Sequence, residues 1–499
     1  MLSEITPEEI ATKLRAANRW WLSEQPTDQI PFSNLNERAY FNLFHRVATA
    51  PEPRRAVVLM GPRRVGKTVL VFHLFKRLLE DKAKKPVDLI YLDLQQPVYG
   101  GIGLEKLMLT AIDASGAKGP EGVVVCFDEI QYRKDWNTEL KSLVDDYPET
   151  RFIGTGSAAA ALRLKSLESG AGRFTDFFLP PLTFYEFLKL KGDAYDSLIH
   201  VVDQEVRSAI SVRDITQLNE LFIDYLNYGG YPESALSEAV QSNLERYIRN
   251  DIIDKVLLKD LPALYGIQDI PELNALFTTL AYNTSNTVSM ESLSQKCGVA
   301  KKTLKKYIEY LESAFLLKQV RRVDQSGKRF QRQTEFKIYL TNPSMRAALF
   351  SPIDAGSESM GAVVETAVFS QWFHSLHDEL HYARWSAGHG ESNEVDLVYL
   401  DGLQRPAWAV EIKWSDAYAT NPQRLGGLRT FASQHPNCEL HSTTRTVQTR
   451  SMLADKKCDF VPAAAYCYVL GRNLIRNREA FDLEELIMPE TNEGDEAAE

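Results

Sequence analysis

Gly61-Pro62-Arg63-Arg64-Val65-Gly66-Lys67-Thr68 constrains this chain more than any other stretch. An apolar run, 56–60, precedes it, and a helical pattern starting at Val69 follows it. Strand, glycine-bounded loop and helix in that order fit a phosphate-binding loop. The glycines let the backbone curl until successive N–H groups face phosphate oxygens, and the helix N-terminus adds partial positive charge. Lys67 is expected to reach the β- and γ-phosphates of a bound nucleotide, and the Thr68 hydroxyl to hold Mg²⁺.

A second apolar run, 89–94, reads as a buried parallel strand. A third, Val123-Val124-Val125-Cys126-Phe127, ends in Asp128-Glu129. Ligands of open α/β sheets sit at the C-terminal ends of strands. Asp128 is therefore expected to hold Mg²⁺, and Glu129 to act as general base on the water that attacks ATP. An acidic pair ending a strand also serves as a turn or helix cap, but its place behind a phosphate loop favours the catalytic reading. Arg151-Phe152-Ile153-Gly154-Thr155-Gly156-Ser157 is a further strand ending in hydroxyls. Thr155 and Ser157 are candidate sensors of the γ-phosphate. Arg173 is a candidate arginine finger, with a structural salt bridge as the competing reading.

The chain has 499 residues, which implies two to four domains. No apolar run is long enough to span a bilayer and the first residues carry no signal-peptide pattern, so a cytoplasmic protein is expected. Five scattered cysteines without C-x-x-C pairing point to reduced thiols. The net charge of −10 argues against a non-specific coat for nucleic acid but leaves room for a local basic face. Part of the acidity lies in a tail carrying Glu490, Glu493, Asp495, Glu496 and Glu499, expected to be solvated and disordered.

Residues 1–50 read as a helical arm, with Trp20 and Trp21 packing it onto the next domain. Residues 191–285 are helical and mixed, broken sharply at Tyr228-Gly229-Gly230-Tyr231-Pro232. Residues 286–345 read as a winged helix: a short helix at 290–294, a turn at Cys297-Gly298-Val299, a second helix at 303–311, then strands at 316–323 and 335–340. Lys301, Lys302, Lys305, Lys306, Arg321, Arg322, Lys328, Arg329 and Arg332 concentrate positive charge there. Such a helix and wing suit phosphate contacts, although winged helices also dock proteins.

The C-terminal part holds a second constellation. A helical pattern carries Glu365, a strand carries Asp396, and a following strand ends in Glu411-Ile412-Lys413. The two-residue period puts Glu411 and Lys413 on one face. Asp396 and Glu411 are expected to share a hard divalent cation, Mg²⁺ or Mn²⁺, with Glu365 adding an oxygen and Lys413 positioning hydroxide. The competing reading is a surface hairpin with alternating charges. Residues 463–470 look strand-like and are expected to complete this sheet.

Together these residues resemble the bacterial and archaeal family of AAA+-type ATPases that carry a C-terminal nuclease-like domain of unknown function. The matching pieces are the phosphate loop, Asp128-Glu129-Ile130-Gln131, Thr155-Gly156-Ser157, Leu179-Pro180-Pro181-Leu182, the Gly229-Gly230 break, and the C-terminal set from Glu365 through Arg384-Trp385 and Glu394-Val395-Asp396 to Lys413. Val395 stands where proline commonly precedes the first acid of a PD-(D/E)xK site. The resemblance covers most of residues 50–435 and implies an ATPase core, a winged helix and a nuclease-like domain; with the residue patterns outside these, the expected chain is α/β and multidomain: helical arm (1–50), P-loop AAA+ parallel-sheet core (51–190), helical lid or connector (191–285), winged helix (286–345), restriction-endonuclease-like domain (346–475) and acidic tail (476–499). It implies ATP and Mg²⁺ as cofactors and nucleic acid as partner, DNA ahead of RNA, with no membrane. Oligomeric state and a protein partner stay open. Two functions compete: an ATPase gating a metal-dependent nuclease, with defence against foreign DNA as one setting, and an ATP-driven switch on an inactive nuclease-like scaffold.

Overall fold

The computed structural model describes residues 6–157, 172–202, 209–328, 335–375, 379–388 and 391–487. They divide into two compact units, one formed by residues 1–180 with 476–499 and the other by 181–475. Arg329, Arg332 and the five tail acids lie outside the described residues.

The first unit is built on a five-stranded sheet. Its strands are β1 (Ala56–Met60), β2 (Leu89–Asp93), β3 (Val124–Asp128), β4 (Arg151–Gly156) and β5 (Phe174–Phe178). The order is β2-β3-β4-β1-β5 and every pairing is parallel. β1 and β3 are buried along their whole lengths, as expected of strands covered on both faces. β4 lies between the strand that feeds the phosphate loop and the strand that ends in acid. This insertion brings Thr155, level with Leu59 of β1, beside Asp128.

Helices α1 (Pro7–Ala17), α2 (Phe41–Thr49), α3 (Lys67–Glu80), α4 (Leu104–Ser115) and α5 (Trp136–Asp146) complete this unit. A capping box between Thr6 and Glu9 starts α1. The arm then seals the outer edge of the sheet. Asn18 exchanges two hydrogen bonds with the Tyr91 backbone, at 2.7 and 3.0 Å, as a neighbouring strand would. Trp20 and Trp21 both donate their indole N–H to the Leu89 carbonyl, at 3.0 and 2.8 Å. The pairing potential of edge strand β2 is thereby used up.

The second unit contains α6 (Phe184–Lys191), a hairpin of β6 (Ile199–Val202) and β7 (Ala209–Val212), and α7 (Ile215–Tyr228). The segment Glu245–Asp254, within the stretch expected to be helical, is wound more widely than an α-helix, with π-helical hydrogen bonding. Next come α8 (Ile270–Tyr282), β8 (Thr287–Ser289), α9 (Met290–Cys297), α10 (Lys301–Ser313), β9 (Leu317–Val323) and β10 (Glu335–Leu340). β10 pairs antiparallel with both β8 and β9.

A helix, α11 (Met360–Gln371), then leads into β11 (Leu380–Gly388), β12 (Glu391–Leu400) and β13 (Pro406–Glu411), an antiparallel meander. After α12 (Gly426–Gln434), β14 (Glu439–Thr444) returns parallel to β13. β15 (Thr449–Leu453) and β16 (Lys456–Pro462) extend the sheet. Parallel pairing of β9 with β11 fuses everything into one nine-stranded sheet, β15-β16-β14-β13-β12-β11-β9-β10-β8.

The expected strand at 463–470 is instead the start of a long helix, α13 (Ala463–Ile487). Its first residues are nearly all buried, so polarity offers no period to read, and three successive alanines favour helix. Residues 476–487, expected to begin a disordered tail, belong to the same helix. All five cysteines are free thiols and four are buried. Among the described residues no helix is long and apolar enough to cross a membrane.

Candidate functional site

The phosphate loop leaves β1 at Gly61, where a side chain has no room. A Cβ there would lie 2.2 Å from the Leu179 carbonyl oxygen. Gly66 has a φ of +97° and turns the chain into α3, placing the N–H groups of the first helical turn at the loop. Lys67 is buried, and its ammonium donates to the carbonyls of Gly61 at 3.0 Å and Pro62 at 2.8 Å. Arg38 from the arm braces the loop from outside. Its guanidinium donates to the Val65 carbonyl at 2.8 Å and to the Pro180 carbonyl at 3.1 Å.

Asp128 ends β3 facing the loop and is held by three hydroxyls. Thr68 donates to Oδ2 at 3.0 Å, Tyr91 donates to the same oxygen at 2.5 Å, and Thr155 donates to Oδ1. Burial raises the Asp128 carboxyl above its ordinary value, and the adjacent Glu129 adds to this against the three hydrogen bonds. A hydroxyl and a carboxylate 3.0 Å apart beside a phosphate loop are hard oxygen donors suited to Mg²⁺.

Glu129 has a φ of +55°, a left-handed conformation uncommon outside glycine. Its backbone N–H donates to Thr155 Oγ1 at 3.2 Å. Its carboxylate accepts from Ser157 at 3.2 Å and from the Gln131 amide, which also donates to Ser157 Oγ at 3.2 Å. The strand-end residues thus form one network: Thr155 on Asp128, and Ser157 with Gln131 on Glu129. Arg173, the candidate finger, is ion-paired with Asp145. Arg38 and Tyr91 join the site without a signal in the motifs, and Gln131 joins it from the Asp128–Gln131 piece, where no role is read for it. An arginine in an arm and a tyrosine in mid-strand match no pattern, whereas the position of Gln131, two residues past Glu129, is a usable one.

The C-terminal constellation also assembles, with an addition. Glu365 on α11, Glu394 and Asp396 on β12, and Glu411 with Lys413 at the end of β13 converge. Lys413 Nζ lies 2.8 Å from Glu411 and 3.5 Å from Asp396. Asp396 Oδ2 accepts the Ile412 backbone N–H at 2.8 Å. The addition is Lys337 of β10. Its Nζ lies 2.6 Å from Glu394, 2.8 Å from Glu365 and 3.4 Å from Asp396, with the side chain only 2% exposed. Tyr339, two residues along, donates to Glu365 at 2.6 Å.

The electrostatics are those of a buried, closely balanced cluster. Burial pushes Glu411 up to about 8, with Asp396 adding to the effect. Burial likewise pushes Glu365 up to about 7, against the pull of Lys337. Asp396 also suffers burial, but Lys413, Lys337 and the Ile412 N–H outweigh it and hold its carboxyl below the ordinary value. Both lysines are raised despite burial, Lys337 chiefly by Glu365 and Lys413 chiefly by Asp396. Among the described residues Glu411 Oε2 is buried without a hydrogen-bond partner. The expected metal ligands Glu365, Asp396 and Glu411 therefore surround ammonium groups. Among the described residues no three His, Cys, Asp or Glu side chains come together to hold a metal ion.

Comparison with known proteins agrees with the first site. Residues 53–188 match a family described as an AAA domain, and residues 219–356 match a domain of unknown function, DUF8612. An uncharacterized protein of Haemophilus influenzae is 25% identical over 294 residues, 58% of this chain and 68% of that protein. The uncharacterized protein MJ1544 of Methanocaldococcus jannaschii is 25% identical over 270 residues, 53% of this chain and 56% of that protein. Among solved structures, the ORC2 protein of Aeropyrum pernix covers 62% of this chain and 91% of its own at 13% identity. Its TM-score of 0.37 is too low to argue a shared overall fold. Residues 53–188 are thus a P-loop ATPase domain of the AAA type, on a parallel sheet.

Proposed function

We propose that this protein hydrolyses ATP at the phosphate loop and uses the cycle as a conformational switch. The observation that carries this reading is the network joining the loop to two strand ends: Thr68 to Asp128, Asp128 to Thr155, and Glu129 to Ser157 and Gln131. Residues 61–69 cradle the phosphates and Lys67 pairs with the β- and γ-phosphates. Thr68 and Asp128 hold Mg²⁺, which neutralises charge on the phosphates when bound. Glu129 takes a proton from the attacking water. Release of Glu129 from Gln131 and Ser157 precedes that step, because a carboxylate occupied by an amide and a hydroxyl is a poor base. The Arg173–Asp145 ion pair supports a structural role for Arg173 over that of a finger.

In the second unit, residues 286–345 are a winged helix in this reading, and residues 346–475 have a nuclease-like fold. Support for the first is the order helix, β8, α9, α10, β9, β10 with its antiparallel pairings. Support for the second is a helix, a three-strand meander, a helix and a parallel strand, with the acids on the expected elements. The exposed Lys302, Lys305 and Lys306 of α10 suit contact with nucleic-acid phosphates. Because Lys337, in addition to the expected Lys413, faces the nuclease-like acids, a scaffold role fits this part better than a gated nuclease.

The test incubates the full chain with supercoiled and single-stranded DNA, Mg²⁺ or Mn²⁺, with and without ATP. ATP consumption with intact DNA is the expected result. DNA cleavage that disappears in Lys413→Ala contradicts the scaffold reading.

A further inference from the structure

We propose that the ε-ammonium of Lys337 is the resident cation of the C-terminal carboxylate cluster, standing where a nuclease of this shape holds its divalent metal. The inference rests on the nuclease-like reading of residues 346–475 for the meaning of that position, and on geometry for its occupant.

Three carboxylates from two elements point at one nitrogen: Glu365 from α11, and Glu394 and Asp396 from β12. An ammonium buried to 2% exposure is tolerable only when paired in this way. Asp396, the acid any shared metal would need, has both oxygens engaged. Lys337 meets Oδ1, and Oδ2 takes Lys413 and the Ile412 N–H. A divalent ion requires several oxygens about 2.0–2.6 Å from one point, and that point already holds a nitrogen with its three protons. The strand that delivers Lys337 is built for the purpose. Lys337 and Tyr339 share one face of β10 through the two-residue period, and both meet Glu365. The Tyr382 ring, on β11 beyond the intervening β9, lies 5.6 Å from the ammonium. Lys337 therefore supplies one positive charge where a divalent metal would supply two, and an ammonium has no open coordination position at which to activate a water.

Mn²⁺ binding to the full chain, followed by electron paramagnetic resonance and calorimetry without nucleotide, tests this. Wild type should show no Mn²⁺ site that depends on Asp396. Lys337→Ala, and Lys337→Gln with its similar bulk, should each gain one, and adding Asp396→Asn should remove it. A wild-type Mn²⁺ site lost on Asp396→Asn overturns the proposal, and that result needs no Lys337 variant. Folded Lys337 variants that gain no site overturn it too. Neither outcome touches the ATPase reading, and DNA cleavage by the wild-type chain would refute the scaffold without locating the cation.

Discussion

Single side chains decide the chemistry at both sites. Tyr91 donates to Asp128 at 2.5 Å from a strand whose sequence looks purely structural. Hydrogen bonds to charged groups contribute about 1.5–3 kcal/mol, so Tyr91→Phe should free Asp128 to shift. Its expected effect is a several-fold rise in the Mg²⁺ concentration needed for half-maximal ATP turnover, with the fold unchanged by circular dichroism. An unchanged Mg²⁺ dependence would remove Tyr91 from the site. Glu411 gives a pH prediction. Its native value of about 8 lies above its ordinary 4.5, so the folded chain keeps a proton that the unfolded chain has released across that window. Stability is therefore lost as pH rises from 4.5 towards 8. Glu411→Gln holds no such proton, and its melting temperature should gain on wild type more at about pH 8.5 than at about pH 5. Equal gains at both would mean that Glu411 is ionised throughout.

At the scale of elements, what can be read from sequence follows what periodicity can carry. β1, β3 and β4 announce themselves as apolar runs ending in chemistry, and the Lys67–Glu80 helix follows its loop. β5 does not, because Phe174–Phe178 is broken by Thr175 and Asp176. The start of α13 passes for a strand because a wholly buried helix and a buried strand look alike without polar residues to set a period. The acids proposed for catalysis, Asp128 and Glu129, are legible since motif spacing fixes their places. Lys337 is not marked by any motif, although a lysine between Phe336 and Ile338 in an apolar strand is a signal: a charge buried on one face needs a partner. The arm is legible as helical, but its task at the β2 edge is not, because Asn18 works through backbone groups. Asn18→Ala leaves the Tyr91 N–H and carbonyl short of partners. It should destabilise the first unit by about 1–3 kcal/mol, read as a lower urea midpoint with an unchanged slope. A midpoint equal to wild type would show that the tryptophans alone seal the edge.

For the whole molecule, in the proposed reading, energy input falls to residues 53–188, nucleic-acid contact to α10, and a scaffold role to the last part of the chain. The role of α10 predicts that Lys302→Glu, Lys305→Glu and Lys306→Glu together weaken DNA binding. The dependence of log affinity on log salt should flatten by about 0.9 for each phosphate no longer neutralised. Binding that is unaltered in strength and salt dependence would place the DNA on another face. All of this presupposes that the phosphate loop and the Asp128-Glu129 pair turn over ATP. The most direct measurement is steady-state ATP hydrolysis by wild type and Glu129→Gln, with nucleotide binding measured on the same samples. Glu129→Gln should bind ATP as wild type does and hydrolyse it about 10²–10⁴-fold more slowly, the range expected for a lost general base. Hydrolysis by Glu129→Gln at the wild-type rate would contradict the assignment of Glu129 and, with it, the catalytic reading of the whole strand-end network.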